Sequence, residues 1–536
     1  MRALLALLLT LLAAAPAMAQ SARDYVEEGF RAAQIGMSSS AGKALREIGQ
    51  RAAAGSDGRA ALLRERQAVA LRLRQVEEQL VAPDADRIAL AGEVESLTNQ
   101  LALIDDRVAT EFPDFAALTA PEPLGLAEVQ ALLRPDEALI LIFVGPQFTD
   151  VFAVSPKKVG WHQVGAGTAT LADVVATLRQ ELDPTAPSRS AAALEDEPAP
   201  ARPAGAGFSR GMAFRLYEVL LQPVEPVFAD AAHIFTVTTG PLTSLPLSLF
   251  VTSVPEGDDD DPAALRATDW LIRRHALTTL PSVESLAVVR GLPPPPPPLL
   301  AFAGYGDPAL DGGQTLLSLS RGGGVMRAGV ADAEQLRALP PLPQTRGELT
   351  RIADTLGKDR SRLVLGADAT ETAVKTADLS ATAVIAFATH GLLSGDLPGL
   401  DEPALVMTPP ANPDFADDGL LTASEITELK LSADWVILSA CNTAGGDAPG
   451  AEGLSGLARA FLFAGARSIL VSHWPVRDDA AARLTTGTFE ALVAGEARGK
   501  ADALRHAMLD LMADPRDPTL AHPSAWAPFV LVGEGG

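Results

Sequence analysis

One cysteine, Cys441, is all that 536 residues contain. No intramolecular disulfide can form, so the thiol is either a small buried hydrophobe or a reactive group. Aromatic residues are scarce, at 5%, and aliphatic side chains must therefore build the core. Basic residues are outnumbered: 43 Lys and Arg against 67 Asp and Glu give a formal net charge of -24. With no basic stripe to offset it, that charge repels phosphate backbones and argues against nucleic acid as a partner. The seven histidines lie far apart, without the spacing of an H-E-x-x-H helix, so no metal site is expected and a metal-dependent hydrolase is disfavoured.

Long apolar runs are also missing beyond the start. Met1-Arg2, an Ala/Leu stretch to about Ala15 and Ala17-Met18-Ala19 before Gln20 have the three parts of an export signal. Residues 1–19 are therefore expected to be a signal peptide, with the mature chain periplasmic or extracellular and without a membrane span after its removal.

The length calls for more than one unit. Residues 20–112 are expected to form a helical arm. Within it Val69, Leu73, Val76 and Leu80, and then Leu90, Val94, Leu97, Leu101, Ile104 and Val108, recur at spacings of four and three. Pro83-Asp84 interrupts them, which reads as an antiparallel helical hairpin, serving either as a partner-binding arm or as packing on the main domain. From about residue 124 the period changes. Ala138–Val144 and Val151–Val154 read as a β-hairpin and Leu171–Leu182 as a helix, inside an α/β unit expected over 124–292. The stretch 184–207 and the acidic run 255–262 read as exposed loops, and Pro293–Pro298 as a stiff spacer.

A second α/β part is expected over 299–533. The apolar runs Leu299–Ala303, Arg362–Leu365, Ala383–Ala388, Trp435–Ser439 and Arg467–Ser472 read as strands. Helical patterns at Thr345–Leu356, Gly453–Phe463, Asp478–Val493 and Ala501–Met512 lie between or after them. Such alternation predicts a mainly parallel sheet covered on both faces.

In an open α/β sheet, chemistry sits beyond the carboxyl ends of the strands. The run 384–389 delivers His390-Gly391, and the run 436–440 delivers Cys441-Asn442-Thr443. A base and a nucleophile at one sheet edge suit thiolate catalysis, because an adjacent imidazole takes the thiol proton. Backbone N–H groups of Gly391 and Cys441 are candidate oxyanion donors. By pattern alone, the same two residues also fit a structural role.

Around them the sequence resembles the CHAT domain, a caspase-like member of the peptidase clan of caspases, separase, gingipains and metacaspases. The resemblance rests on His390-Gly391, the segment 417–426, Ser439-Ala440-Cys441, Ala451-Glu452-Gly453, residues 456–468, Ser472-His473-Trp474-Pro475-Val476 and the closing stretch 526–533. It covers roughly residues 124–533. It implies a caspase-like sheet preceded by a short arm like the tail of a TPR array. It also implies an endopeptidase acting on protein substrates through His390 and Cys441, with no metal or organic cofactor. An activating protein partner is consistent with it, and a catalytically silent scaffold or binding module is the alternative. Departures are Thr389 in place of a cysteine, Asn442 in place of a glutamate, and His473 in place of an aliphatic residue. In related folds the strand after the nucleophile's helix lies beside the substrate, which implies Ser472 and Trp474 as cleft residues and Asp478 as the partner of a basic side chain. Asp478 also fits a helix N-cap, and Arg477 next to it is a competing partner for its carboxylate.

Overall fold

In the computed structural model, the described residues are 24–36, 69, 72–73, 76, 87–111, 123–183, 207–292, 294–295, 297–312, 326–327, 330–392, 400, 402–414, 416–439 and 456–536. Eleven strands form one sheet. In chain order they are β1 (Glu137–Val144), β2 (Thr149–Val154), β3 (Val159–Val164), β4 (His233–Thr238), β5 (Ala276–Thr279) and β6 (Leu300–Pro308). Then follow β7 (Ser361–Gly366), β8 (Thr382–Ala388), β9 (Trp435–Ser439), β10 (Ser468–Ser472) and β11 (Phe529–Gly533). Their order is β3-β2-β1-β4-β5-β11-β10-β9-β8-β6-β7.

The pairs β1–β2, β2–β3 and β10–β11 are antiparallel, and the other neighbours run parallel. The mainly parallel sheet read from the apolar runs is thus the sheet observed. Its central strands are enclosed on both faces, which is why β8 and β9 carry unbroken apolar stretches rather than a polar alternation. Four strands were not anticipated. β3, VGWHQV, is a partly exposed edge strand and β5 has only four residues, whereas β4, HIFTVT, and β11, FVLVG, are buried apolar runs whose signal is present in the sequence.

Helices cover the sheet on both sides. On one face lie α1 (Thr168–Leu182), α2 (Thr345–Leu356), α4 (Asp478–Ala494) and α5 (Lys500–Ala513), and α3 (Gly456–Ala464) lies on the other. Alternate side chains of one strand therefore enter different layers: Val384, Ala386 and Ala388 of β8 join Leu349, Ile352 and Leu484, while Ile385 and Phe387 join Leu457 and Phe461. Each fully buried Leu, Ile or Phe contributes about 1.5–3 kcal/mol. Both layers draw on residues from 138–292 and from 302–532, so the two expected α/β parts share one sheet and one pair of cores. Val532 of β11 beside Thr279 of β5 joins them.

The N-terminal helix, 24–35, packs on the hairpin edge through Phe30 and Phe152, whose ring centroids are 5.4 Å apart. Gln34 fixes it further, donating to the Leu124 carbonyl at 2.9 Å and accepting from the Leu124 N–H at 3.0 Å. A 25-residue helix spans Arg87–Glu111, and Arg72 donates to Glu93 at 2.9 Å, linking the two apolar-seamed segments of the arm. The expected signal segment 1–19, the Pro83-Asp84 break and most of 184–207 lie outside the described residues. Among the described residues no helix is long and apolar enough to cross a membrane.

The acidic run is more than a solvated loop. Asp259 pairs at 2.8 Å with Arg210, a guanidinium 1% exposed that also donates to the carbonyls of Glu256, Gly257 and Ala264. Asp261 caps the helix Pro262–Ala267 by accepting from Ala263 N–H at 2.9 Å.

Candidate active site

β8 and β9 are adjacent and parallel, with Ala388 opposite Ser439. His390 follows the first strand end by two residues, and Cys441 follows the second by two. Cys441, Asn442 and the turn after them lie outside the described residues. What is described is the frame on which they follow.

Beyond β8 the chain is clipped to a small antiparallel sheet made of Gly391–Leu392, Ala404–Val406 and Leu420–Thr422. Thr389 is buried and its hydroxyl donates to the Val406 carbonyl, so this residue serves as a tether. The Val406 N–H donates to the His390 carbonyl at 2.9 Å. In the planar trans peptide that follows, the Gly391 N–H must point the opposite way, out of the small sheet.

The imidazole is oriented by a backbone carbonyl. His390 Nε2 lies 2.7 Å from the Pro340 oxygen. A carbonyl only accepts, so Nε2 carries the proton and Nδ1 keeps the lone pair. Burial pushes the His390 pKa below its ordinary value, with the Pro340 carbonyl and the Asp478 carboxylate pulling the other way. At neutral pH the ring is uncharged and able to accept a proton.

Asp478 is the first residue of α4, and the N-cap position belongs to Arg477. Its carboxylate caps a neighbour instead: Oδ2 accepts from the Gln344 N–H at 2.8 Å, just before α2. Burial raises its pKa. Arg477 turns away to Asp479 and Asp517. The expected competition for Asp478 therefore does not arise.

Ser472 and Trp474, expected as cleft residues, are both enclosed. The Trp474 indole donates to the Ser524 carbonyl at 3.0 Å and lies under the Arg179 guanidinium, 5.2 Å from the ring centroid. That is the setting of a core side chain, and no indole surface is left to meet a ligand. His473 is buried beside it, the ring centroids 6.4 Å apart, and burial with the Arg179 charge depresses its pKa to about 3.

Pro340 and Glu348 were not singled out from sequence. A carbonyl carries no residue signature, so Pro340 could not be read. Glu348 had a signal: with Thr345, Leu349, Ile352 and Ala353 it falls on the buried stripe of α2, where an acidic residue is out of place.

An open sheet that delivers a histidine from one central strand, beside the strand that leads to a lone cysteine, defines an α/β protein with its candidate chemistry at the carboxyl edge. The family model for the CHAT domain matches residues 210–534, more than half of the chain, and the chain belongs to that family. Among curated proteins it is similar to tetratricopeptide repeat protein 28. The Mus musculus protein is 37% identical over 114 residues, covering 21% of this chain and 4% of that protein. The Homo sapiens protein is 26% identical over 366 residues, covering 59% and 13%. The chain thus spans a small part of these relatives. Solved structures with partial likeness include the Saccharomyces cerevisiae separase–securin complex (TM-score 0.41, 10% identity, 76% of this chain and 30% of that one). Another is the Arg-specific cysteine proteinase gingipain R (TM-score 0.34, 12% identity, 60% and 66%).

Proposed function

We propose that the chain is an exported cysteine endopeptidase in which His390 is the base and Cys441 the nucleophile. The observation that carries this reading is the register of Ala388 with Ser439, which starts the two chain exits side by side at the same height of the sheet. In this mechanism Nδ1 of His390 takes the thiol proton while Nε2–H stays on the Pro340 carbonyl, so the imidazolium that forms keeps its orientation. The thiolate attacks a peptide carbonyl. The Gly391 N–H, turned out of the small sheet, and the Cys441 N–H receive the developing oxyanion. His390 then returns the proton to the leaving amine, and water releases the acyl group. Proteins are the substrates, and an activating protein partner accounts for control of a site built from strand-end loops.

Cys441→Ala and His390→Ala are each expected to abolish cleavage while leaving the melting transition in place. A terminal-peptide survey of the source organism, wild type against Cys441→Ala, reads substrates and the mature N-terminus together. Expected are cleavages lost with the thiol and a start at Gln20. Identical peptide sets in the two strains would instead favour a silent scaffold, and recovery of the intact Met1 form in the cytosol would remove the export assignment.

A further inference from the structure

Glu348 has no reason to exist as packing. It sits on the apolar stripe of α2 at 2% exposure, and among the described residues no cation pairs with it. Two hydroxyls hold it: Ser439 Oγ donates to Oε2 at 3.2 Å and Thr485 Oγ1 to Oε1 at 2.7 Å. An apolar residue of similar size would join α2 to α4 with no desolvation cost, whereas a buried carboxyl with two neutral partners carries one.

Its position makes a link instead. Ser439 is the last residue of β9, two before Cys441. At the other end of the same stretch, the Pro340 carbonyl accepts from His390 Nε2, and the Gln344 N–H donates to Asp478. Residues 340–348 thus touch the imidazole at one end and the cysteine's strand at the other. We propose that Glu348 is a positioning residue that, through Ser439, holds the strand end leading to Cys441 in register with His390. This rests on the dyad reading above.

The groups facing Glu348 are few. α4 presents Asp478, while Arg477 and Asp479 beside it pair with each other. Its own helix brings Arg351, β8 leads to His390, and β9 has no titratable side chain. Burial raises the Glu348 carboxyl to about 7, Thr485 and Ser439 oppose the rise, and Asp478 adds to it. Glu348 therefore changes charge near neutrality, and the site should show a titration there that belongs to neither thiol nor imidazole.

The test is the rate of Cys441 alkylation by iodoacetamide across the neutral range, on the whole mature chain. It compares wild type with His390→Ala, Ser439→Ala, Glu348→Ala and Glu348→Gln, with circular dichroism to check folding. Ser439→Ala and Glu348→Ala are expected to lose the His390-dependent acceleration by roughly tenfold or more, since small misplacements of reacting groups are costly. Glu348→Gln can still accept from one hydroxyl and donate to the other, so it should keep the acceleration but lose the step near pH 7. If Glu348→Ala fails to fold, Ser439→Ala and the Gln variant decide. Wild-type rates and an unchanged profile in those two overturn the assignment while the dyad stands. Equal rates in wild type and His390→Ala overturn both.

Discussion

His473 and His522 are stored as neutral imidazoles. Burial brings His522 to about 4, and burial with the Arg179 charge brings His473 to about 3, against an ordinary 6.5. As pH falls through 6.5 the unfolded chain takes up protons that the folded chain refuses, so stability is lost progressively from there toward the folded values. Glu348 works in the opposite direction. Its folded pKa of about 7 exceeds the usual 4.5, so between those values the folded state holds the extra proton and acid favours it. Burial also raises the Glu371 carboxyl, which adds to this opposing effect, so the imidazoles are read by substitution and not from the net melting temperature. Relative to wild type, His473→Asn is expected to make the melting temperature fall less, or rise more, as pH is lowered from about 6.5 to about 4. The same pH dependence in wild type and His473→Asn would contradict the buried, uncharged state of that ring.

Among the elements, the placement of His390 depends on how closely β6 approaches β8. Gly306 of β6 pairs with Ala388, and a Cβ built on it would stand 2.5 Å from the Ala388 oxygen and 2.8 Å from Leu349 Cδ1. The first contact is with backbone and cannot be relieved by a rotamer change. Gly306→Ala is therefore expected to push the end of β8 and α2 apart, at a cost of roughly 1–3 kcal/mol typical of an overpacked core. Because Pro340 and Glu348 flank the displaced contact, any peptidase activity should fall further than the stability loss explains. Melting curves beside kcat at a temperature well below the transition would check this, and full activity with a lowered melting temperature would separate the strand spacing from the site. At this scale β9 and α2 match the expected bounds, because a short apolar run and a stripe at three- and four-residue spacing are strong local signals.

For the whole molecule, the shared sheet sets the prediction. Both apolar layers cross from the first α/β part to the second, and β5 meets β11 rather than closing a sheet of its own. Fragments 124–292 and 299–536 are expected to be unfolded when made separately and to recover a cooperative melt only when mixed. Calorimetry and far-ultraviolet dichroism would detect this, and two fragments with independent transitions would mean the sheet is two units in contact. The charge of -24 gives no hint of the join, since it reports solubility and not topology.

By itself the sequence determined the sheet class, the strand that ends at Ala388 and the strand that ends at Ser439, because apolar periodicity is a local property that the chain cannot hide. The tertiary structure decided which strands are neighbours, since pairing of distant segments is settled by the packing of both layers at once. It joined β5 to β11, turned Asp259 toward the buried Arg210, and enclosed Trp474 in the core. It also chose the partners of single atoms. The carbonyl of Pro340 meets His390, the carboxylate of Asp478 meets Gln344, and Glu348 meets Ser439, across 50, 134 and 91 residues of chain. No local pattern encodes such contacts, because a hydrogen bond depends on where two groups lie in space and not on how far apart they stand in sequence.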